Sequence, residues 1–233
     1  MLHVNMLVMS NARKNSRLYG GVAIEERRAE RHLRLIDAAI KVYGEVGYRN
    51  ATVKAVCEAA QLTERYFYES FANSEALLVA TYTHVTDHLH AEMATAGAQY
   101  AGNDEQRIAA VLKLYFTRLQ EHPRQARVFL LEIAGISPAV DVVRMDAVKA
   151  MSNILLPPSG PSRRGAKDAP ACLLTIGMIG AVISIALRWV SHDYPQPIGE
   201  VVAAAAAFCR VSLPNTQTVV SIAGRRSATA RKR

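Results

Sequence analysis

An all-helical fold is predicted by three features of this 233-residue sequence. Apolar residues recur at helical spacing along most of its length, and no segment shows the clean apolar–polar alternation of a half-buried strand. The periodic segments are also punctuated by residues that start and stop helices: Thr52, Thr63 and Asn73 or Ser74 as N-caps, Gly47 as a C-cap, Pro123 and Pro138 in first turns. About nine helices are expected.

A first helix is predicted over about 25–46. Leu33, Ile36, Ile40 and Tyr43 form its inner face, with Arg27, Arg31 and Arg34 outside, and Gly47 ends it. Thr52 offers its hydroxyl to a short helix over 53–60. After a two-residue break, Gln61-Leu62, Thr63 opens another over 64–71. A long fourth helix follows, with Glu75 well placed in its first turn and Leu78, Tyr82, Val85, Leu89 and Met93 as its apolar stripe, ending near Gly97. The next amphipathic helix covers 105–121 through Ile108, Leu112, Tyr115 and Leu119. Pro123 leads a helix with Ala126, Phe129, Leu130 and Ile133 inward, and Pro138 one with Val143, Ala147, Met151 and Ile154 inward. Residues 156–170 read as a loop rich in Pro, Gly and charge. Two last helices are expected over 171–192 and 198–213.

The resulting organisation is a flexible basic arm (1–24), a small helical unit (25–74), a larger bundle (75–213) and a basic, disordered tail (214–233). Half the residues are hydrophobic and 21% are charged, ample for a buried core. Three widely spaced cysteines give neither a disulfide framework nor a zinc pattern, which fits a reducing cytoplasm. The net charge of +8 is uneven. Residues 75–213 are neutral, whereas 214–233 carry five basic residues and no acid. A polyanion contact is therefore expected at the ends of the chain, not over its whole surface. The opening residues are too short and interrupted for a signal-peptide core. The uncharged run 171–187 falls short of the ~20 apolar residues of a membrane span and reads as a helix buried on all sides.

Two short helices, each begun at a threonine and joined by a tight turn, have the layout of a helix-turn-helix. The first helix braces across a nucleic-acid backbone, and the second presents its leading residues to the major groove. Val53, Val56, Ala60, Leu62, Phe67 and Phe71 supply its small core, while the helix N-termini make Thr52 and Thr63 natural phosphate contacts.

Here the sequence resembles the TetR (tetracycline-repressor-like) family of transcriptional regulators. The resemblance lies in residues 34–78: an apolar helix ending in Gly47-Tyr48, then Thr52-Val53-Lys54-Ala55-Val56, Ala59-Ala60-Gln61-Leu62-Thr63, and Phe67-Tyr68-Glu69-Ser70-Phe71-Ala72-Asn73-Ser74-Glu75-Ala76-Leu77-Leu78. It implies base-edge contacts from Lys54, Glu64, Arg65 and Tyr66, and phosphate contacts from Thr52, Thr63, Tyr68 and Ser74. Arg and Lys suit guanine, and Glu accepts from cytosine N4. Two positions depart from the family: Gln61 stands where its turn glycine usually lies, and Ser74 where a lysine precedes the glutamate. Phosphate binding is therefore expected to lean on Arg27, Arg28, Arg31 and Lys54, and on Arg13, Lys14 and Arg17 of the arm.

The resemblance also implies a repressor of double-stranded DNA that pairs with a second copy through its last two helices. Residues 203–207 with Gly177, Gly180 and Ala181 would allow close approach there. A neutral bundle rich in Met, Leu and Ile suits a small apolar ligand, with Tyr82, Met93, Tyr115, Phe116, Phe129, Met145 and Met178 as candidate lining. Arg127 and Glu132 either orient a polar group of that ligand or pair with each other. His84, His88 and Glu92 share a helix face, but with no third ligand fixed by geometry no metal is expected. No nucleophile–base arrangement, phosphate-cradling glycine loop or HExxH is present, so neither an enzymatic activity nor a cofactor is expected. The alternative is a small-molecule-binding or enzymatic helical protein whose helix-turn-helix is vestigial.

Overall fold

The computed structural model describes residues 4–100, 103–156 and 173–212, with side chains described from residue 24 to 210 apart from 173 and 174. Residues 157–172 and 213–233, which take in all but the first residue of the expected loop and the whole expected tail, lie outside the described residues, as do Cys172 and the side chains of Arg13, Lys14 and Arg17.

Among the described residues every regular element is helical: α1 (Val4–Val46), α2 (Val53–Ala60), α3 (Glu64–Ser70), α4 (Ser74–Ala98), α5 (Asp104–Glu121), α6 (Pro123–Arg127), α7 (Pro138–Leu155), α8 (Leu173–Ser191) and α9 (Ile198–Ser212). A 3-10 turn at Tyr48–Asn50 follows α1, and a π-helical turn, Val128–Glu132, continues α6. The helix expected to start near residue 25 begins at Val4, since no proline interrupts residues 4–24.

The chain divides into two units, residues 1–84 and 85–233, with the division inside α4. In the first, α1 packs against α2 and α3. Leu35, Ile36, Ala39, Tyr43, Val56, Ala60, Phe67 and Phe71 are buried in this unit. Leu33, expected inside, is half exposed at 50%. The buried arc is centred on Leu35, Ala39 and Tyr43, and Leu33, only about 20° round the helix from Ile40, falls beyond the edge of that arc.

In the second unit α5 packs on α9, α8 on both α7 and α9, and α6 on α5. A chain of ring contacts runs through its core: Phe129–Tyr115, Tyr115–Phe116, Phe116–Trp189 and Trp189–Tyr194. Trp189 donates to the Gln196 carbonyl at 3.0 Å and Tyr194 to the Leu119 carbonyl at 2.9 Å, so the polar ends of these rings are satisfied where they leave the apolar interior. Arg107, 8% exposed, donates to the Ile154 and Leu155 carbonyls at the end of α7 and to Asp104 at 2.7 Å. Gly97 lets α4 approach α5, because a Cβ there would lie 3.0 Å from a Val111 methyl.

Two expectations are corrected here. The deepest residues of α7 are Val140, Met151 and Leu155, with Val143, Ala147 and Ile154 only half buried. α8 is not buried on all sides: Ile176, Gly177, Gly180, Ser184 and Leu187 are exposed along one face. Leucines and isoleucines on both sides of a helix raise its hydropathy without revealing whether each side has a partner within the same chain.

Candidate nucleic-acid interface

The site is built from three short stretches. Thr52 caps α2, its Oγ1 accepting from the Ala55 N–H at 3.1 Å. Its hydroxyl proton remains available to an acceptor. Thr63 occupies the N-cap position of α3 with extended backbone, but its side chain makes no capping bond. The sequence-based capping role thus holds in full for Thr52 and only in backbone geometry for Thr63.

Between the two helices Gln61 is left-handed, at φ 54° and ψ 44°. This reverses the chain at once. The Gln61 N–H bonds back to the Cys57 and Glu58 carbonyls, and the Leu62 N–H to Cys57 at 2.9 Å. Arg34, expected on the outer face of α1, instead reaches the turn: its Nη2 donates to the Ala60 carbonyl at 2.6 Å and to the Gln61 carbonyl at 3.4 Å. A guanidinium at the C-terminal end of α2 satisfies carbonyls the helix cannot and faces the negative end of its dipole. No local pattern announces this contact, which joins residues 26 apart.

Around this frame the candidate reading residues are open. Lys54, Glu64, Arg65 and Tyr68 are exposed, Tyr68 at 60% with its ring edge-on to buried Phe67. Tyr66 is 37% exposed and lies beneath the Arg31 guanidinium, 4.6 Å from ring centroid to Cζ. Arg28 donates to the Glu69 carbonyl at 3.4 Å, and Arg27 is exposed. α1 therefore lends two arginines to the flank of α3. Ser74 is half buried at the start of α4, where Asn73 is the cap, accepting from the Ala76 N–H at 2.8 Å. Two of the cations are engaged within their own helices. Arg65 Nε lies 2.9 Å from Glu69 Oε1, and Lys54 Nζ lies 3.9 Å from Glu58 Oε1.

The apolar support has its own signature. His32 stacks on Phe71 at 4.5 Å, and burial, followed by the charge of Arg28, holds its pKa below the ordinary value. Cys57, buried in α2, has its thiol pushed up by burial and then by Glu64. It is part of the packing and not a nucleophile.

Residues 35–81 match the family model described as bacterial regulatory proteins, tetR family. The matched segment, about a fifth of the chain, is similar to the helix-turn-helix part of that family. The helix-turn-helix makes this chain a DNA-binding transcriptional regulator, with Lys54, Arg65 and Tyr68 on the open side of the tetR-family segment. No curated protein sequence matches the chain. Solved structures match over most of its length. The fatty acid degradation regulator FadR from Bacillus halodurans is 19% identical, with a TM-score of 0.62 over 76% of this chain and 96% of its own. FadR from Bacillus subtilis, solved with stearoyl-CoA, is 20% identical, with a TM-score of 0.62 over 78% and 97%. A TetR transcriptional regulator from Rhodococcus sp. RHA1 is 16% identical, with a TM-score of 0.58 over 82% and 98%. These likenesses establish the fold of a TetR-type regulator.

The expected ligand-lining residues are dispersed. Tyr82, Met93, Tyr115, Phe116 and Met178 are buried, whereas Met145 is 54% exposed on α7 and lines no interior space. Phe129 borders a cleft of about 110 Å³ among α4, α5 and α6. Its apolar walls are Val85, Leu89, Leu119, Ala126 and Phe129, and its rim carries His88, Glu92, Arg118, His122 and Gln125. Arg118 grips Glu92 through two bonds of 2.8 and 2.7 Å and Glu121 through one of 2.7 Å, and these bonds hold its pKa above the ordinary value. Arg127 and Glu132 pair at 3.5 Å. Among the described residues no group of three His, Cys, Asp or Glu is placed to hold a metal ion, and no helix is long and apolar enough to cross a membrane.

Proposed function

We propose that the chain is a homodimeric, sequence-specific repressor of the cytoplasm whose hold on its operator is relieved by a small apolar ligand. The observation that carries this reading is the exposed face of the helix-turn-helix. Lys54, Glu64, Arg65 and Tyr68 stand open over a buried Val56–Phe67 support, flanked by Arg27, Arg28 and the Arg31–Tyr66 stack. Base edges fall to Lys54, Glu64, Arg65 and Tyr66, and phosphates to Thr52, Thr63, Tyr68, Ser74 and the three arginines. The working division is an arm at 1–24, the reader at 25–74, the ligand and dimer unit at 75–213 and a tail at 214–233.

One such reader buries little surface, and two spaced by the groove repeat make an operator complex of useful affinity. The exposed apolar face of α8 supports pairing through the last two helices. Ile176 and Leu187 are exposed there, and a Cβ at Gly177 or Gly180 would meet nothing within 4 Å in the single chain. The cleft beside Phe129 supports an apolar ligand, Phe129 being in ring contact with buried Tyr115. The stearoyl-CoA bound to the B. subtilis relative carries an apolar chain of this kind, joined to a charged coenzyme A moiety. At about 110 Å³ the cleft is smaller than the ~150 Å³ cavity that admits benzene, so a long chain would have to part the walls. α4 carries two of those walls, Val85 and Leu89, and continues back to Ser74, directly after the reader, which gives the ligand a covalent route to it.

The test is gel retardation on the DNA upstream of the protein's own gene. Arg65→Ala and Tyr68→Phe are expected to weaken the complex while leaving the dimer intact by size exclusion. Unchanged binding in both removes the residue assignment. A wild-type chain that retards no duplex at low salt yet binds an apolar compound is a ligand-binding protein with an unused helix-turn-helix.

A further inference from the structure

The recognition surface contains two ion pairs of the same unusual polarity. In α2, Lys54 stands in the first turn and Glu58 four residues on; in α3, Arg65 stands in the first turn and Glu69 four residues on. Isolated helices favour the opposite order, with acid before base, and the helix dipole favours acids near the N-terminus and bases near the C-terminus. Helix stability therefore does not account for either pair. All four side chains are solvent-accessible, Lys54 and Arg65 the more so within each pair. The two cations are those assigned to base edges, and each carries its counterion on its own helix.

We propose that Glu58 and Glu69 are internal counterions that suppress sequence-independent DNA binding. The inference rests on the reading of Lys54 and Arg65 as DNA contacts. A phosphate approaching either cation meets a carboxylate already beside it, at 2.9 Å from Arg65 Nε and 3.9 Å from Lys54 Nζ, and that carboxylate is then held close to a polyanion. The exchange also releases fewer ions than the capture of a free cation, because a carboxylate left beside the phosphates retains a cation of the DNA's own atmosphere. The carboxylates weaken the phosphate attraction that supplies nearly all sequence-independent binding, whereas the bidentate pairing of a guanidinium with guanine O6 and N7 is a further contact made on the operator alone. Glu58 and Glu69 thus widen the gap between operator and bulk DNA without touching a base themselves. They are positioning residues acting through Lys54 and Arg65.

The experiment needs no operator. Binding of the full chain to a fluorescent duplex of random sequence is followed by anisotropy across NaCl concentrations, for wild type, Glu58→Gln, Glu69→Gln and Asp37→Asn. Asp37, an exposed acid on α1, controls for the loss of any negative charge. Each freed cation is expected to steepen the log–log salt slope by about 0.9, which is about a 3.5-fold larger gain in affinity on lowering salt fourfold. The Asp37→Asn slope is expected to match wild type. Unchanged slopes in both glutamine variants, or an equal change in the control, overturn the proposal. The two glutamates lie on separate helices, and circular dichroism melting identifies a variant that folds poorly, so either substitution alone decides. A wild-type chain that binds no duplex at the lowest salt refutes the DNA-binding reading itself; a wild type that binds with unaltered variant slopes refutes only the counterion role.

Discussion

Replacing Gln61 by glycine should stabilise the N-terminal unit. Gln61 is held at φ 54° and ψ 44°, and a left-handed conformation costs a residue with a Cβ roughly 1–2 kcal/mol. Glycine is free of that cost but gives back about 0.5–1 kcal/mol through the greater freedom of its unfolded chain. The side chain of Gln61 is exposed, so little packing is lost. The backbone bonds that close the turn, from Gln61 and Leu62 to Cys57 and Glu58 and from Arg34 to Ala60, survive the change. The net gain is about 0.5–1 kcal/mol, the difference of those two figures. Amide exchange of residues 53–71 reads it directly, as slower exchange by a factor of about 2–5 wherever opening of this unit governs the rate. Gln61→Ala serves as the control: alanine pays the same left-handed cost and should stay within about 0.5 kcal/mol of wild type. A destabilised Gln61→Gly, or equal gains in both variants, would show that the turn is not strained and that the reasoning fails.

Removing the Arg34 guanidinium, as in Arg34→Ala, strands the Ala60 carbonyl and should cost the same unit about 1.5–3 kcal/mol, with Arg34→Lys recovering part; exchange of the same amides checks both. Arg107→Met strips two carbonyls at the end of α7 of their donor, and a lower urea midpoint by Trp189 fluorescence, with a loss of about 2–3 kcal/mol, is expected. His32 and His90 both have lowered pKa values, chiefly through burial, and the Nε2 of His90 is buried without a hydrogen-bond partner. The unfolded chain therefore binds their protons more readily, and stability is complete above the ordinary pKa near ~6.5 and falls as pH drops below it. His32→Gln and His90→Gln should each flatten that dependence in urea titrations at several pH values. Gly180→Leu places a side chain where the single chain has room, so the fold should persist while light scattering reports monomer in place of dimer; a dimer that survives it would remove α8 from the interface.

Much of the fold was legible because it depends on short-range chemistry. Thr52, Asn73 and Pro138 act on the next few residues, and the buried sets of α4 and α5 repeat at the spacing one helix turn imposes. The reading went astray where a long side chain reaches a distant backbone. Arg34 and Arg107 were hidden because an arginine's spacing says nothing of a carbonyl 26 or 47 residues away. The π-helical turn at Val128–Glu132 was also hidden: its sequence, Val-Phe-Leu-Leu-Glu, suits an ordinary helix, and the extra residue alters which side chains face the cleft without altering the apolar pattern. Met145 was misplaced for a related reason, since an apolar residue on a helix of mixed character carries no mark of which side meets the core. In the candidate site, residue types were legible and pairings were not: Arg65 was readable as a base contact, its tie to Glu69 only from geometry.

The two departures from the family pattern bear on whether the helix-turn-helix is still a working reader. A turn without glycine and an α4 without its leading lysine are what a segment released from DNA binding would accumulate. Decay, however, predicts loosened geometry, and here each departure is met by a contact made for it. The left-handed Gln61 is pinned by Arg34 from another helix at 2.6 Å, and α4 starts on an Asn73 cap at 2.8 Å. Arg31 on Tyr66 and Arg28 on the Glu69 carbonyl further fix the side of α3, although neither is needed to bury the Phe67 and Phe71 core. Exposed Arg28 and half-buried Arg31, both fixed beside α3, carry an entropic cost that stability alone returns poorly. Their arrangement is better explained by a partner that takes up the remaining guanidinium donors, and a phosphate backbone lying along α1 and α3 is such a partner. The Arg28→Ala and Arg31→Ala variants should accordingly lose affinity for duplexes of every sequence alike, each lowering the salt slope by about one, while the fold's melting temperature barely moves. A fall in stability with the salt slope unchanged would reassign both arginines to packing and return the vestigial reading to consideration.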